Sequence, residues 1–153
     1  MDHIQTVYQS PIGPLTLRAR GEVLTYLGFG GEPDINKRPP AFLPVIAQLD
    51  EYFGGKRKVF QLPFDLEGTE FRRRVWAELV RIPYGETRSY KDIAYAIGNV
   101  KSVRAVGGAN HHNPISIIVP CHRVIGANGS LTGYGGDLWR KEWLLAHEKK
   151  VLL

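Results

Sequence analysis

The sequence predicts an α+β fold in two parts. The first, over residues 1–66, is a small antiparallel β-sheet with one helix, and the second, over residues 67–153, is an all-helical domain of the winged or helix-turn-helix type that carries the only cysteine. Short stretches rich in β-branched and aromatic residues come first, the apolar period then lengthens to three and four, and a glycine turn later joins two short helical segments. A chain of 153 residues can form one compact domain or two small ones.

Three predicted strands begin the first part. Residues 4–8, 15–20 and 23–29 are rich in β-branched and aromatic side chains, and turn-forming residues separate them. From residue 41 the apolar positions recur at three and four, which places on one helical face Phe42, Val45, Ile46, Leu49, Tyr52 and Phe53. We expect this helix to end at Gly54, to cover the sheet and to carry no chemistry.

The second part begins and ends with a predicted helix. Thr69 is a suitable cap for the first of these, and residues 83–85 end it. Asp137 is a natural N-cap for the last helix, over residues 138–148.

Two shorter helices are predicted between them. Ser89 caps the first, Gly98 and Asn99 form the turn, and Ser102 opens the second, over residues 103–109. This pattern is typical of a helix-turn-helix, although a plain helical hairpin shares it.

The positive charge is concentrated in the second part. The net charge is +5, yet residues 1–66 contain seven Lys or Arg against seven Asp or Glu, and residues 67–153 contain thirteen against eight. A surplus confined to one region favours an anionic partner there. It indicates a nucleic-acid surface rather than a general solubility charge.

The only cysteine follows an apolar run and a proline, in the stretch Ile117-Ile118-Val119-Pro120-Cys121-His122-Arg123-Val124. A thiol attacks as its thiolate, and an unperturbed cysteine, with a pKa of about 8.5, is only slightly ionised near neutral pH. A neighbouring imidazole or cation would change that. Pro120 restrains the residue before it, so we place Cys121 at a strand-to-loop junction, where reactive groups are commonly presented. The competing interpretation is a small buried hydrophobic residue.

The composition also indicates a compartment. One cysteine allows no intramolecular disulfide, the first residues lack the basic and apolar regions of a signal peptide, and no stretch approaches the length of a transmembrane helix. We therefore expect a cytoplasmic protein with no membrane partner.

Several blocks of the second part match one known family. They are Pro120-Cys121-His122-Arg123-Val124, Ser89-Tyr90, Arg104-Ala105-Val106-Gly107-Gly108, Asn113-Pro114, Tyr134 and Lys141-Glu142-Trp143-Leu144-Leu145-Ala146-His147-Glu148. In one register from Phe71 to Glu148, the chain closely resembles the O6-alkylguanine-DNA alkyltransferases. Residues 1–66 resemble that family only loosely.

The resemblance implies a helix-turn-helix protein that enters the minor groove of double-stranded DNA and flips an alkylated guanine into a pocket. It would move the alkyl group irreversibly, once per molecule, onto its own cysteine, with O4-alkylthymine as a second candidate substrate. By position, Cys121 would be the acceptor, His122 the base that relays its proton through a water, and Glu148 the carboxylate that holds the imidazole. His122 and Glu148 must then meet in space. Tyr90 would crowd the flipped nucleotide and donate a proton to the purine, and Asn113 would support the chain that carries the cysteine.

The resemblance also implies residues that contact DNA and line the pocket. Arg104 would fill the gap that the flipped base leaves in the stack. The other residues assigned to DNA are Tyr90, Ser102, Ala105, Gly107 and Arg123, and those assigned to the substrate pocket are Tyr134, Gly135, Val124 and Ser116. Gly135 stands where some relatives carry serine, and Ser116 where others carry proline, so the accepted size of the alkyl group stays open. The chain lacks the first-domain cysteines with which some relatives bind zinc, and we expect a monomer with no metal and no cofactor.

Three other interpretations remain. An alkyltransferase-like protein would bind damaged DNA without transferring anything, but its cysteine is replaced. A cysteine hydrolase or acyltransferase would use the Cys-His pair, require an oxyanion hole and turn over repeatedly. A helix-turn-helix regulator with a structural cysteine agrees with the basic second part, but gives no role to Cys121, His122 and Glu148 together.

Overall fold

The computed structural model describes residues 3–32, 39–131 and 137–152. It confirms the predicted α+β class, since a three-stranded antiparallel sheet comes first and helices dominate the rest. The chain divides into two compact units, Met1–Leu66 and Glu67–Leu153. Within the described ranges, no helix has both the length and the apolar character needed to cross a membrane.

The first unit is built on a β-meander of β1 (His3–Ser10), β2 (Gly13–Arg20) and β3 (Val23–Phe29), with β2 in the centre. A tight turn joins β1 to β2, and Gly13 there has a φ of 100°, which glycine adopts without steric cost. Every second residue of β2 faces the core, as the pleat of a half-buried strand requires. These buried residues are Leu15, Leu17 and Ala19.

One helix, α1 (Leu43–Phe53), completes the core of the first unit. A short 3-10 turn, Pro40–Phe42, leads into it. The predicted apolar stripe is buried except for Phe53, which is half-buried and stacks on Tyr8 with ring centroids 6.2 Å apart. This unit therefore has its own apolar core.

The second unit opens with α2 (Glu70–Val80). The side chain of Thr69 caps it as predicted, with Oγ1 accepting a hydrogen bond from the backbone N–H of Arg72 at 3.2 Å. Trp76 is 1% exposed and donates its indole N–H to the carbonyl of Ala109 at 2.8 Å. This bond ties α2 to a later helix.

Two short helices, α3 (Tyr90–Ala96) and α4 (Val103–His111), pack on α2 and on each other. A capping box fixes the start of α3, because Ser89 and Asp92 each accept a hydrogen bond from the other's backbone N–H, at 3.0 and 2.8 Å. The turn contains Gly98 with a φ of 78°. α3, this turn and α4 form the helix-turn-helix.

A short parallel strand pair interrupts the helical unit, and the sequence contained no local signal for it. β4 (Arg88–Ser89) pairs with β5 (Val124–Ile125). The pair joins the residues just before α3 to those just after the Cys121–Arg123 turn. The remaining helix, α5 (Leu138–Leu152), extends beyond its predicted end at residue 148.

Candidate active site

Cys121 begins a 3-10 turn, Cys121–Arg123, directly after Pro120. It is 2% exposed. Asn113 braces the chain that leads to it, since its Nδ2 donates to the carbonyl of Val119 at 2.8 Å and its Oδ1 accepts from the N–H of Ile115 at 3.1 Å. A side chain with both a donor and an acceptor is needed to hold the segment in this way.

The braced segment contains a left-handed residue. Ile117 has a φ of 73°, a conformation that is unusual for a β-branched side chain, and it is 1% exposed. The turn around it pairs Ser116 with Val119. Ser116 and Asn113 both lie close enough to the Cys121 thiol to lower its pKa.

The surroundings of the thiol act on its ionisation in opposite directions. Burial raises the pKa of Cys121, because a thiolate is poorly solvated in the interior. Hydrogen bonds from Asn113 and Ser116 and the positive charge of Lys141 lower that pKa in part. The net shift is upward, so the resting side chain is a thiol that must lose its proton before it attacks.

His122 and Glu148, twenty-six residues apart, meet inside the second unit. His122 Nε2 lies 2.6 Å from Glu148 Oε2, and both side chains are fully buried. Burial lowers the pKa of His122, although Glu148 acts to raise it, so the imidazole is neutral. A carboxylate only accepts hydrogen bonds, which assigns the hydrogen to Nε2 and leaves the lone pair on Nδ1. That Nδ1 is buried and has no hydrogen-bond partner among the described residues.

Four hydrogen bonds hold the carboxylate of Glu148. Oε1 accepts from Arg123 Nε at 2.8 Å and from the N–H of Gly85 at 3.1 Å, and Oε2 accepts from Arg123 Nη2 at 3.1 Å in addition to His122. Burial by itself would raise the pKa of Glu148, but His122 and Arg123 hold it well below its ordinary value. The carboxylate therefore stays charged.

Arg123 is not placed as predicted. It was assigned to DNA, yet it is 6% exposed and its guanidinium is directed at Glu148 and, through Nη1, at the carbonyl of Ile82 at 2.7 Å. A planar cation with both edges already bonded inside the unit is not available to a phosphate or a base. We therefore correct the interpretation of Arg123 from a DNA contact to an internal partner of Glu148.

Lys141 is a site residue that the sequence reasoning missed. It is 0% exposed, its Nζ donates to the carbonyl of Val124 at 2.5 Å, and it lies 5.9 Å from the centre of the Tyr90 ring. Burial lowers the pKa of Lys141 to about 8, and the interaction with Cys121 acts in the other direction. The sequence could have indicated this, because Lys141, Leu144 and Glu148 follow the i, i+3, i+7 spacing of one helical face. All three side chains are buried in the structure.

The other predicted pocket residues that the structure describes lie in the region around Cys121 and Lys141. Tyr90, the first residue of α3, is 9% exposed, and Val124 is fully buried directly after the cysteine turn. Ser116 lies at the thiol. Tyr134 and Gly135 lie outside the described residues.

The predicted DNA-contact residues lie on or just before α4. Arg104 and Ala105 are exposed, while Ser102 and Gly107 are half-buried. Ser102 precedes α4 without capping it through its side chain, since its hydroxyl donates instead to the carbonyl of Asn99 at 2.6 Å. A Cβ added at Gly107 would meet nothing within 4 Å in the part of the chain that the structure describes. The internal packing does not require glycine at this position.

Fold and site together define a class: a helix-turn-helix protein with a buried cysteine beside a histidine that a carboxylate orients. Comparison with known families gives the narrower assignment. Residues 4–66 match the 6-O-methylguanine DNA methyltransferase ribonuclease-like domain, and residues 70–150 match the 6-O-methylguanine DNA methyltransferase DNA binding domain. The chain belongs to the 6-O-methylguanine DNA methyltransferase family, which confirms the resemblance.

Individual relatives agree with this assignment. The methylated-DNA–protein-cysteine methyltransferase of Mycobacterium tuberculosis is 53% identical over 155 residues, covering 97% of this chain and 93% of the relative. The crystal structure of the Mycobacterium tuberculosis O6-methylguanine methyltransferase superposes with a TM-score of 0.90 at 50% identity, over 97% of this chain and 94% of the other. A crystal structure of Mycobacterium tuberculosis OGT in complex with DNA superposes with a TM-score of 0.89 at 52% identity, over 96% and 93% of the two chains.

Proposed function

We propose that this protein repairs DNA directly, by moving the alkyl group of O6-alkylguanine in double-stranded DNA onto Cys121, irreversibly and once per molecule. O4-alkylthymine is a second candidate substrate. The observation that carries the proposal is the buried His122–Glu148 pair, at 2.6 Å, directly beside the only cysteine of a chain from this family. An orienting carboxylate, a base and a nucleophile are the parts that activated thiol chemistry needs.

The reaction begins from the thiol. His122 takes the proton of Cys121 through a bridging water, and the thiolate displaces the base at the alkyl carbon, so that a C–S bond forms as the C–O bond to the guanine O6 breaks. Tyr90 donates its phenol proton to the leaving purine, and the proton taken from the thiol restores the phenol. The products are guanine and a thioether. Because a thioether is chemically inert, the protein acts only once.

The helix-turn-helix presents the lesion to this site. Arg104, exposed on α4, occupies the gap in the stack after the nucleotide rotates out, and replaces contacts whose loss costs a few kcal/mol. Ser102, Ala105 and Gly107 lie against the DNA backbone. A bare glycine allows close approach there, in agreement with the open space at Gly107.

The two parts of the chain divide the work. Residues 67–153 contain the helix-turn-helix and the alkyl acceptor, and residues 1–66 support them. The chemistry requires a reduced thiol and access to chromosomal DNA. We therefore place the protein in the cytoplasm of a cell whose DNA lies in that compartment.

Mass spectrometry tests the proposal. The protein is incubated with a duplex oligonucleotide that contains one O6-methylguanine, and we expect one methyl group on the peptide that contains Cys121, together with restored guanine in the DNA. The Cys121→Ser variant should bind the duplex with similar affinity and gain no mass. Turnover of many substrates per protein would identify a hydrolase or acyltransferase instead, and binding without a mass gain would identify a protein that only recognises damage.

A further inference from the structure

Arg123 occupies a position that the proposed function leaves without a role. Its guanidinium lies between α5 and the segment that follows α2, with Nε and Nη2 on the two oxygens of Glu148 and Nη1 on the carbonyl of Ile82. The ring of Tyr84 faces it, with its centre 5.6 Å from Cζ. A two-pronged contact of this kind fixes both the position and the rotation of a carboxylate.

The same carboxylate orients His122. Four donors surround Glu148, which uses the acceptor sites that a carboxylate offers. Its Oε2 is shared by His122 Nε2 and Arg123 Nη2, at 2.6 and 3.1 Å. Any rotation of the carboxylate would therefore change its bond to the imidazole.

We propose that Arg123 is a positioning residue: it holds Glu148 and balances its charge, so that His122 remains a neutral imidazole with its lone pair on Nδ1, ready to accept the thiol proton. This inference rests on the proposed function. An imidazolium carries hydrogens on both nitrogens and cannot act as the base. A lone carboxylate in contact with His122 would favour that imidazolium, and the cation of Arg123 opposes it.

The charges around His122 agree with this role. Glu148 and Lys141 act on it from α5 and Arg123 acts on it from its own turn, where Cys121 directly precedes it, while the centre of the Tyr84 ring lies 5.6 Å from Cζ of Arg123. Burial lowers the pKa of His122, Glu148 raises it, and Arg123 and Lys141 lower it again. Removing the charge of Arg123 should raise the pKa of His122 and extend the imidazolium to higher pH.

The ring nitrogens of His122 can be observed directly. In protein labelled with 15N-histidine, we expect the unmodified chain to show a neutral ring with its hydrogen on Nε2 at pH 7. In Arg123→Met, the same resonances should shift toward the imidazolium near neutral pH. Arg123→Lys keeps the charge but loses the two parallel hydrogen bonds to the carboxylate. Its His122 resonances should lie between those of the unmodified protein and those of Arg123→Met.

The rate of alkyl transfer gives the second measurement. At pH 7, Arg123→Met should transfer methyl from an O6-methylguanine duplex about 10- to 100-fold more slowly, by analogy with the loss seen when a group that orients a metal-binding histidine or carboxylate is removed. The deficit should shrink at higher pH, because the base is then neutral in both proteins. Arg81→Met, at a side chain that is 79% exposed, is the matched control and should change neither the rate nor the His122 resonances.

Two results would overturn the inference. One is an imidazolium, or a hydrogen on Nδ1, in the unmodified protein, which is readable even if Arg123→Met fails to fold. The other is an Arg123→Lys or Arg123→Met deficit that is equal at every pH with unmoved His122 resonances, because a merely structural role predicts that outcome. Failure of the unmodified protein to take up methyl would refute the proposed function instead, and the resonances would still decide the role of Arg123.

Discussion

At the scale of single residues, the site keeps the nucleophile, Cys121, as the unreactive thiol. Burial raises the pKa of Cys121, and Asn113, Ser116 and Lys141 each offset part of that shift. Lys141 differs from the other two because it acts through a full charge, and its own pKa of about 8 lies close to working pH. The reactivity of the thiol should therefore depend on whether Lys141 is protonated.

Replacing Lys141 by methionine tests this dependence. Loss of the cation should raise the pKa of Cys121 further, and a rise of about one unit reduces the thiolate about tenfold. We expect methylation by the free base O6-methylguanine to slow about tenfold at pH 7. The difference from the unmodified protein should vanish as the pH rises through 8 to above about 9, where Lys141 itself loses its charge.

Lys149→Met, exposed on the same helix, is the control and should leave the rates unchanged. A deficit in Lys141→Met that is constant from pH 6 to pH 10 would show that Lys141 only fills space.

At the scale of elements, α4 has two faces with different partners. One face is buried against its own unit through Val106, Ala109 and Asn110. The other exposes Arg104 and Ala105, and it carries a glycine next to open space. The packing of the unit accounts for the first face, and a partner outside the chain accounts for the second.

Arg104→Ala should separate base flipping from chemistry. Because unstacking a base costs a few kcal/mol, we expect repair of an O6-methylguanine duplex to slow about tenfold or more. Methylation by the free base, which requires no flipping, should be unaffected. Single-turnover rates with the two substrates measure the ratio, and Arg81→Ala, outside the helix-turn-helix, controls for the lost charge. An equal loss with both substrates would show that Arg104 acts on the site and not on the DNA.

At the scale of the whole molecule, local signals in the sequence were sufficient for most elements. The strands, the Thr69 cap and the helix-turn-helix follow from residue type and spacing, which act over a few neighbours. The parallel pair β4–β5 joins two residues to two others far along the chain, and nothing in either dipeptide indicates the partnership. Such contacts depend on how the helices pack.

The charged residues of the site were harder to predict for another reason. Arg and Lys are almost never fully buried, so a cation is first interpreted as a surface group. For this reason Arg123 was wrongly assigned to the DNA surface and Lys141 was not assigned to the site, although both side chains are buried. The meeting of His122 with Glu148 was expected only through the family resemblance, because the two residues lie twenty-six positions apart.

The buried charges also affect the stability of the second unit. The pKa of Glu148 is lower in the folded state than in the unfolded chain, so its contribution is present above the unfolded value, about 4.3, and is lost as the pH falls toward the folded one. Glu148→Gln should lower the free energy of unfolding by about 3–5 kcal/mol at pH 7, since it leaves Arg123 unbalanced in the interior. The variant should lose less further stability than the unmodified protein between pH 5 and pH 3.

Denaturant titrations followed by tryptophan fluorescence provide the measurement, because the three tryptophans, Trp76, Trp139 and Trp143, all belong to the second unit. Equal losses of stability in acid for the two proteins would exclude Glu148 as the group responsible.

The burial of Cys121 at 2% exposure has a consequence for the time before any lesion is met. A protein that acts once is spoiled by the first oxidant or stray electrophile that reaches its sulfur, and such damage selects exposed thiolates. A thiol that is protonated and shielded from solvent is oxidised or alkylated slowly. The burial that makes the thiol of Cys121 hard to ionise therefore also protects protein molecules that have not yet reacted. Most of the protein molecules that the cell makes then remain active until they meet a lesion.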